Sequence, residues 1–256
     1  IAHSEAAGVW RVEGGMHAFA QALRRLGEAR GITIRMNTEV TRLEMQDGRV
    51  AAVHTRDGRL ACDEAIFNGD PRALAKGLLG PVGRSAISPR PLEKRSLSAN
   101  VWAFAAQAEM RGTDDLVHHN VFLCADPRTE FGPLAAHRTP EDATLYICAE
   151  DRGTGLTPPA LERFEIIANA PPLEAHTPHH HPPTAKEIER CRQRTHRTLA
   201  QFGLTFDRPL PDAALTTPAA WEARFPASAG SLYGQSPHGL MAAFQRPTAR
   251  TNVKGL

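Results

Sequence analysis

Apolar positions first recur at helical spacing over residues 17–30, HAFAQALRRLGEAR. Phe19, Leu23 and Leu26 share one stripe, Arg24, Arg25 and Glu28 lie outside it, and Gly31 stops the segment. The period then drops to two: Ile32, Ile34 and Met36 alternate with polar residues, and Val40 and Leu43 carry the strand pattern onward. Asp47-Gly48 and Asp57-Gly58 have the composition of tight hairpin turns. Residues 32–69 are therefore predicted to form a short strand followed by a meander of antiparallel strands. Pro71 to Leu79 predicts a short helix, closed by Gly80-Pro81.

From about residue 96 the runs lengthen. SLSANVWAFAAQAEM, HHNVFLCAD, ATLYICAED and RFEIIANAPP read as strands of a second sheet. Residues 184–203 give the clearest helix: Ile188, Cys191, Leu199 and Phe202 face inward, Gly203 ends it, and Thr184 with Glu187 has the spacing of a capping box. TTPAAWEARFP starts another helix, with Thr217 ahead of Pro218 at the first helical position. LEAHTPHHHPP (173–183) reads as a His/Pro-rich surface loop, and the chain has no internal repeat.

Composition narrows the classes. The 256 residues suffice for one large domain or two small ones, and 41% apolar content is ordinary for a globular protein. Lys+Arg 30 against Asp+Glu 28 leaves a net charge of +2, too balanced for a nucleic-acid partner. No run approaches the roughly 18 apolar residues of a membrane span, and nothing at the start reads as a signal peptide. Cys62, Cys124, Cys148 and Cys191 are scattered without a CxxC, as expected of reduced core thiols in a cytosolic setting. The chain opens on Ile1 and stops at TNVKGL, a segment heading into a strand, so it reads as an excerpt.

Candidate chemistry is sparse. In VEGGMHAFAQAL, Gly14 and Gly15 suit either a tight turn at a helix start or the close approach of something flat and bulky. His179, His180 and His181 point in different directions in a Pro-flanked loop, so no metal site is expected there. Alternation puts one of His118 and His119 inward and one outward, and a hydrogen-bonded core histidine is the expectation for the inner one. Ser231 lacks a His/Asp pattern to activate it, and no GxSxG occurs. Gly230, Gly234 and Gly239 punctuate AGSLYGQSPHG, as in a loop approaching a ligand or in a turn-rich connection. The local chemistry leaves a two-domain protein with a cleft between a meander domain and a second sheet.

The order of these pieces resembles a known family. GVWRVEGGMHAFAQALRRLGEARGITIRMNTEVTRLEMQDGRVAAVHTRDGRLACDEAIFNGDP is similar to the bacterial carotenoid desaturases of the phytoene desaturase type, FAD-dependent relatives of the amine oxidases. HHNVFLCADPRTEF, LYICAEDRG, IIANAPP, EIERCRQRT, TTPAAWEARFPASAGSLYGQSPHG and FQRPTARTNVKGL look most like the 3,4-desaturases of 1-hydroxylated acyclic carotenoids such as hydroxyneurosporene. The resemblance covers nearly the whole chain except the His-rich loop. It implies a mixed α/β and α+β fold: part of an FAD-binding Rossmann-like domain with a β-meander, and a substrate domain with a mixed sheet covered by helices. Residues 1–80 would belong to the FAD domain, 81–228 to the substrate domain, and 229–256 to the return into the FAD domain.

Site roles follow from the same resemblance. It implies that Val40 offers its backbone to the FAD adenine, and that Asn68, Gly69 and Asp70 approach the dinucleotide. Gly14, Gly15 and Met16 would lie near the flavin ring and substrate channel, with Tyr233 and His238 on the substrate side. No catalytic side chain and no metal is implied: the flavin takes a hydride, a proton leaves the neighbouring carbon, and the protein orients a long apolar chain. The expected partner is an acyclic carotenoid, with peripheral contact to the cytoplasmic face of the inner membrane. Family members carry a GxGxxG that this chain lacks, so the chain alone is expected to bind FAD poorly. The alternatives are a phytoene desaturase, another amine-oxidase-type flavoprotein, or an inactive fragment.

Overall fold

The computed structural model describes residues 6, 8, 10–88, 94–112, 115–153, 155–173, 184–239 and 241–256. The chain divides into two compact units, one ending at Glu39 and one running from Val40 to Leu256.

The first unit is built on α1 (Gly15–Ala29). Gly14 and Gly15 enter it at φ 80 and 78, a left-handed backbone that side chains disfavour, and the Gly15 N–H donates to the Val12 carbonyl at 2.9 Å. At the far end Gly31 has φ 82; its N–H bonds the Glu28 carbonyl and the Ile32 N–H bonds that of Gly27, both at 3.0 Å. That pair of bonds satisfies two of the helix's last carbonyls, so the predicted stop is real. The stripe of Phe19, Leu23 and Leu26 is exposed within the unit. The strand expected at 32–36 is not formed among the described residues. Alternation specifies which side chains share a face, but a strand also needs a partner for its N–H and C=O groups, and no described strand pairs with this segment.

The second unit opens with the meander as expected. β1 (Val40–Gln46), β2 (Arg49–Thr55) and β3 (Gly58–Ala61) pair antiparallel in that order, with Leu43 opposite Val53 and Val53 opposite Leu60. Asp47 and Gly48 take φ 51 and 79, the geometry of a two-residue turn whose twist matches its strands. The second turn uses Arg56 and Asp57, so Gly58 begins β3 instead of closing the turn. The expected helix at 71–79 is two: α2 (Pro71–Ala75) and α3 (Gly80–Ser85). Gly80-Pro81 therefore opens a helix where it was expected to close one, since proline at a first position gives up an N–H that has no partner there. Leu43, Leu74 and Leu79 pack together beneath the meander, and the Val50 N–H donates to the Lys254 carbonyl at 2.9 Å.

Next comes a five-stranded sheet of β4 (Ser98–Ala106), β6 (His119–Phe122), β7 (Leu145–Ala149), β8 (Glu162–Ala170) and β10 (Leu215–Thr216). Its order is β10-β4-β8-β7-β6, and each pairing is antiparallel. β5 (Ala108–Met110) pairs separately with β9 (Leu204–Phe206). Helices α4 (Pro127–Ala135), α5 (Ala185–Gln201) and α6 (Pro218–Arg224) complete the unit. One sheet face carries Trp102, Ile166 and Ile147 in register, and these pack with Phe164, Leu145 and Leu199 of α5 into the main core. The capping box of α5 is present in full, and Thr217 caps α6 as expected. Phe202, expected to face inward, is exposed on one side and meets the Phe122 ring edge-on at 5.1 Å. All four cysteines are free thiols, and no described helix is long and apolar enough to cross a membrane.

Candidate functional site

The glycine-punctuated loop after α6 is held by charged and hydroxyl side chains that the chain supplies from far away. Ala227, Ala229 and Gly230 all have positive φ, at 70, 56 and 66, and all are buried. Left-handed backbone costs an alanine about 1–2 kcal/mol, so the surroundings must over-determine it. Glu222 of α6 does so, accepting from the Ala227 N–H at 2.9 Å, the Ser228 hydroxyl at 3.1 Å and the Gly230 N–H at 3.3 Å. From the other side Arg95, with only 4% of its side chain exposed, pairs with Asp70 and donates to the Ser228 carbonyl at 3.1 Å. Arg72 donates to the Ala227 carbonyl at 3.1 Å. Two serines at the start of β4 finish the attachment: Ser98 donates to the Gly230 carbonyl at 2.5 Å, and Ser96 shares a 2.6 Å hydrogen bond with Ser231 and accepts the Tyr233 N–H at 3.1 Å.

This network gathers several predicted residues. Asp70 caps α2, accepting the Arg72 N–H at 2.9 Å, and its carboxylate is otherwise engaged by Arg95. Asn68 and Gly69 are exposed just ahead of it, and Gly69 leaves room for the Phe67 ring, into which any Cβ would collide. Tyr233 and His238 are exposed along the same loop. Two buried polar atoms in this region, Gln235 Oε1 and Arg72 Nε, have no hydrogen-bond partner within the chain. Such orphans are rare in a finished interior, and they fit a site completed by a polar group from a ligand. Val40 opens β1 opposite Thr55, followed directly by an irregularity in the ladder. Gly14, Gly15 and Met16 belong to the first unit, where Met16 is exposed and an added Cβ at Gly15 would meet nothing within 4 Å. Sequence reasoning missed Arg95, Glu222, Ser96 and Ser98, which carry no local motif and acquire a role only when residues 70, 95 and 228 meet.

The sheet face opposite the core has two rows in register. One is apolar: Val101, Ile167, Tyr146 and Val121. The other is polar beyond Ala103: Glu165, Cys148 and His119. Burial, and then Glu150 nearby, raises the Glu165 carboxyl. Burial together with a Glu150 hydrogen bond pushes the Cys148 thiol up to about 11, and burial pushes the Tyr146 hydroxyl up to about 12. His118 is half-buried and His119 exposed, as alternation implied, yet their rings touch edge to face at 4.4 Å. On the core side, a cavity of about 430 Å³ lies between α5 and the start of β4, lined by Asn100, Leu173, Ile188, Cys191 and the Arg194–Glu141 ion pair. His179, His180 and His181 lie outside the described residues.

Known proteins can now be set beside this geometry. Residues 2–113 match the family of flavin-containing amine oxidoreductases. The chain is 50% identical over 99% of its length to a hydroxyneurosporene desaturase of Cereibacter sphaeroides, covering 49% of that protein. It is 47% identical over 100% of its length to the hydroxyneurosporene desaturase of Rhodobacter capsulatus, covering 50% of it, and 38% identical to that of Rubrivivax gelatinosus, covering 48%. The chain thus spans about half the length of the curated relatives it matches. By these matches the chain is similar, over nearly its whole length, to about half of each hydroxyneurosporene desaturase, and residues 2–113 are similar to the flavin-containing amine oxidoreductases.

Proposed function

We propose that this chain forms the substrate domain and part of the cofactor domain of an FAD-dependent desaturase that introduces a 3,4 double bond into a 1-hydroxylated acyclic carotenoid. The carrying observation is identity of 38–50% to three hydroxyneurosporene desaturases, each match running through the meander, the five-stranded sheet and the loop at 227–239. In this reading residues 1–80 and 229–256 serve the cofactor and 81–228 the substrate. Val40 offers backbone groups to the adenine, Gly14, Gly15 and Met16 border the flavin, and Asn68 and Gly69 lie along the dinucleotide. Asp70 acts indirectly, by holding Arg95 and through it the loop. The orphaned Gln235 Oε1 and Arg72 Nε support completion of this region by a polar ligand group. Bound flavin supplies the hydride acceptor, and the chain's own work is to orient the polyene and exclude water. The apolar row Val101, Ile167, Tyr146 and Val121 offers a strip along which an extended polyene can lie, and Tyr233 and His238 are assigned to the substrate side. The carotenoid partitions into bilayers, so the reading includes peripheral contact with the cytoplasmic face of the inner membrane.

The test uses the full-length protein expressed in cells that accumulate a 1-hydroxylated acyclic carotenoid. Each new conjugated double bond moves the carotenoid absorption to longer wavelength, and the product is expected to show that shift and a mass lower by two hydrogens. Flavin released from the purified protein is expected to be FAD. Unchanged hydroxylated carotenoid beside converted phytoene would overturn the substrate assignment, and protein that desaturates without flavin would overturn the cofactor.

A further inference from the structure

The outer face of the five-stranded sheet ends, at edge strand β6, in a cluster that the desaturase reading leaves unused. We propose that His118, His119 and Cys148 form a binding site for a divalent cation with zinc-like preferences. The register places His119 directly across from Cys148, and His118 immediately precedes β6. One ligand atom from each of the three residues lies within 4.8 Å of the others, and His118 Nε2 sits 3.6 Å from Cys148 Sγ. A tetrahedral site with metal–nitrogen bonds of about 2.0–2.1 Å and a metal–sulfur bond of about 2.3 Å has a nitrogen–sulfur edge of about 3.6 Å. The observed edge already matches.

The surroundings orient the donors as a metal site requires. His118 Nδ1 lies 3.1 Å from the Ala149 carbonyl oxygen, which can only accept, so the proton sits on Nδ1 and the Nε2 lone pair faces the sulfur. His119 Nδ1 is 2.7 Å from the Tyr146 hydroxyl, which fixes the second ring. Gly153, at φ 72, lets the chain after β7 close over His118: a Cβ there would stand 3.2 Å from that of His118. Glu150 Oε1 lies 3.4 Å from the sulfur and Glu165 pairs with Cys148 across β8, so two carboxylates border the cation position. Metal binding releases the thiol proton and forms the metal–sulfur bond; a water or Glu150 takes the fourth position. Two nitrogens and a thiolate favour zinc over the oxygen-seeking magnesium or calcium.

Cobalt(II) serves as the probe, added to the tag-free full chain. The site is expected to give a thiolate-to-cobalt charge-transfer band and the intense visible bands of tetrahedral cobalt, both displaced by zinc. Cys148→Ser is expected to abolish the thiolate band. His119→Ala, on an exposed edge position that spares the core, is expected to weaken binding at least about tenfold. Replacing His179, His180 and His181 with alanine is expected to leave the band in place, which separates this cluster from the histidine run. Absence of a thiolate band in the parent chain, its survival in Cys148→Ser, or undiminished affinity in His119→Ala would each overturn the proposal.

Discussion

Glu44 gathers three strands at one carboxylate. Arg59 of β3 donates to it through Nε at 3.1 Å and through its terminal nitrogen at 2.9 Å, while His54 of β2 contacts it at 2.6 Å. These bonds, Arg59 first and His54 second, hold its carboxyl down to about 2 from an ordinary 4.5. A depressed carboxyl favours the folded state fully above 4.5, and that contribution is lost as pH falls through about 2. Nuclear magnetic resonance of the Glu44 carboxyl carbon is therefore expected to show a midpoint near 2, moving upward in high salt because the carboxylate is partly open to solvent. A midpoint at the ordinary value would mean the three-strand contact is not held. At other single positions the sequence was only half legible. Glycine at 230 and 234 announced special backbone, but only the structure separates them: a Cβ at Gly230 would strike the Pro218 carbonyl, whereas at Gly234 it would meet nothing within 4 Å. Nothing in the sequence flagged Ala227 and Ala229, since alanine carries no sign of a left-handed φ imposed from outside by Glu222 and Arg95.

Elements whose signals are local were the readable ones. The helix at 184–203 carries its start signal within four residues: Thr184 accepts the Glu187 N–H at 3.3 Å, and the Glu187 carboxylate accepts the Thr184 N–H at 2.8 Å. Thr184→Ala is expected to lower stability by about 0.5–2 kcal/mol, read as a lower urea midpoint with an unchanged slope. Thr184→Ser should restore most of it, because the hydroxyl rather than the methyl makes the cap. No loss in Thr184→Ala would mean that packing of Leu199 alone fixes α5. The meander was legible for the same local reason, through Asp47-Gly48 and strict alternation. The segment 32–36 has equally good alternation and no strand, because pairing is decided by a partner outside the segment. The division of residues 71–85 into α2 and α3 escaped because Gly-Pro reads as a stop or a start equally well, whereas α2 is already closed by Gly77, with φ 78 and the Leu78 N–H on the Ala73 carbonyl.

At the scale of the whole second unit, Asp70 and Ser228, far apart in the chain, are joined through one guanidinium. Arg95 links the cap of α2 at Asp70 to the Ser228 carbonyl and forms a backbone bridge with Gln235. That is why the candidate site was legible only as scattered pieces: Asp70, Tyr233 and His238 were expected through the resemblance, but the residue that ties Asp70 to the loop lies in LEKRSLSAN, which reads as nothing more than a strand entry. A nearly buried ion pair is costly to desolvate, and removing one partner leaves the other charge uncompensated at about 3–5 kcal/mol. Arg95→Met keeps the length and apolar stem and deletes the charge, so it is expected to destabilise the protein by about that much and to release the loop at 227–236 as well. Asp70→Asn retains the cap of α2, because asparagine caps as well as aspartate, and so isolates the charge. If the pair acts as argued, Arg95→Met/Asp70→Asn costs clearly less than the sum of the single changes. Urea unfolding of the four proteins gives the coupling energy, and hydrogen exchange at the Ser231 and Tyr233 amides reports the loop directly. Strict additivity, with loop amides still protected in Arg95→Met, would mean that the serine and Glu222 contacts hold the loop without Arg95.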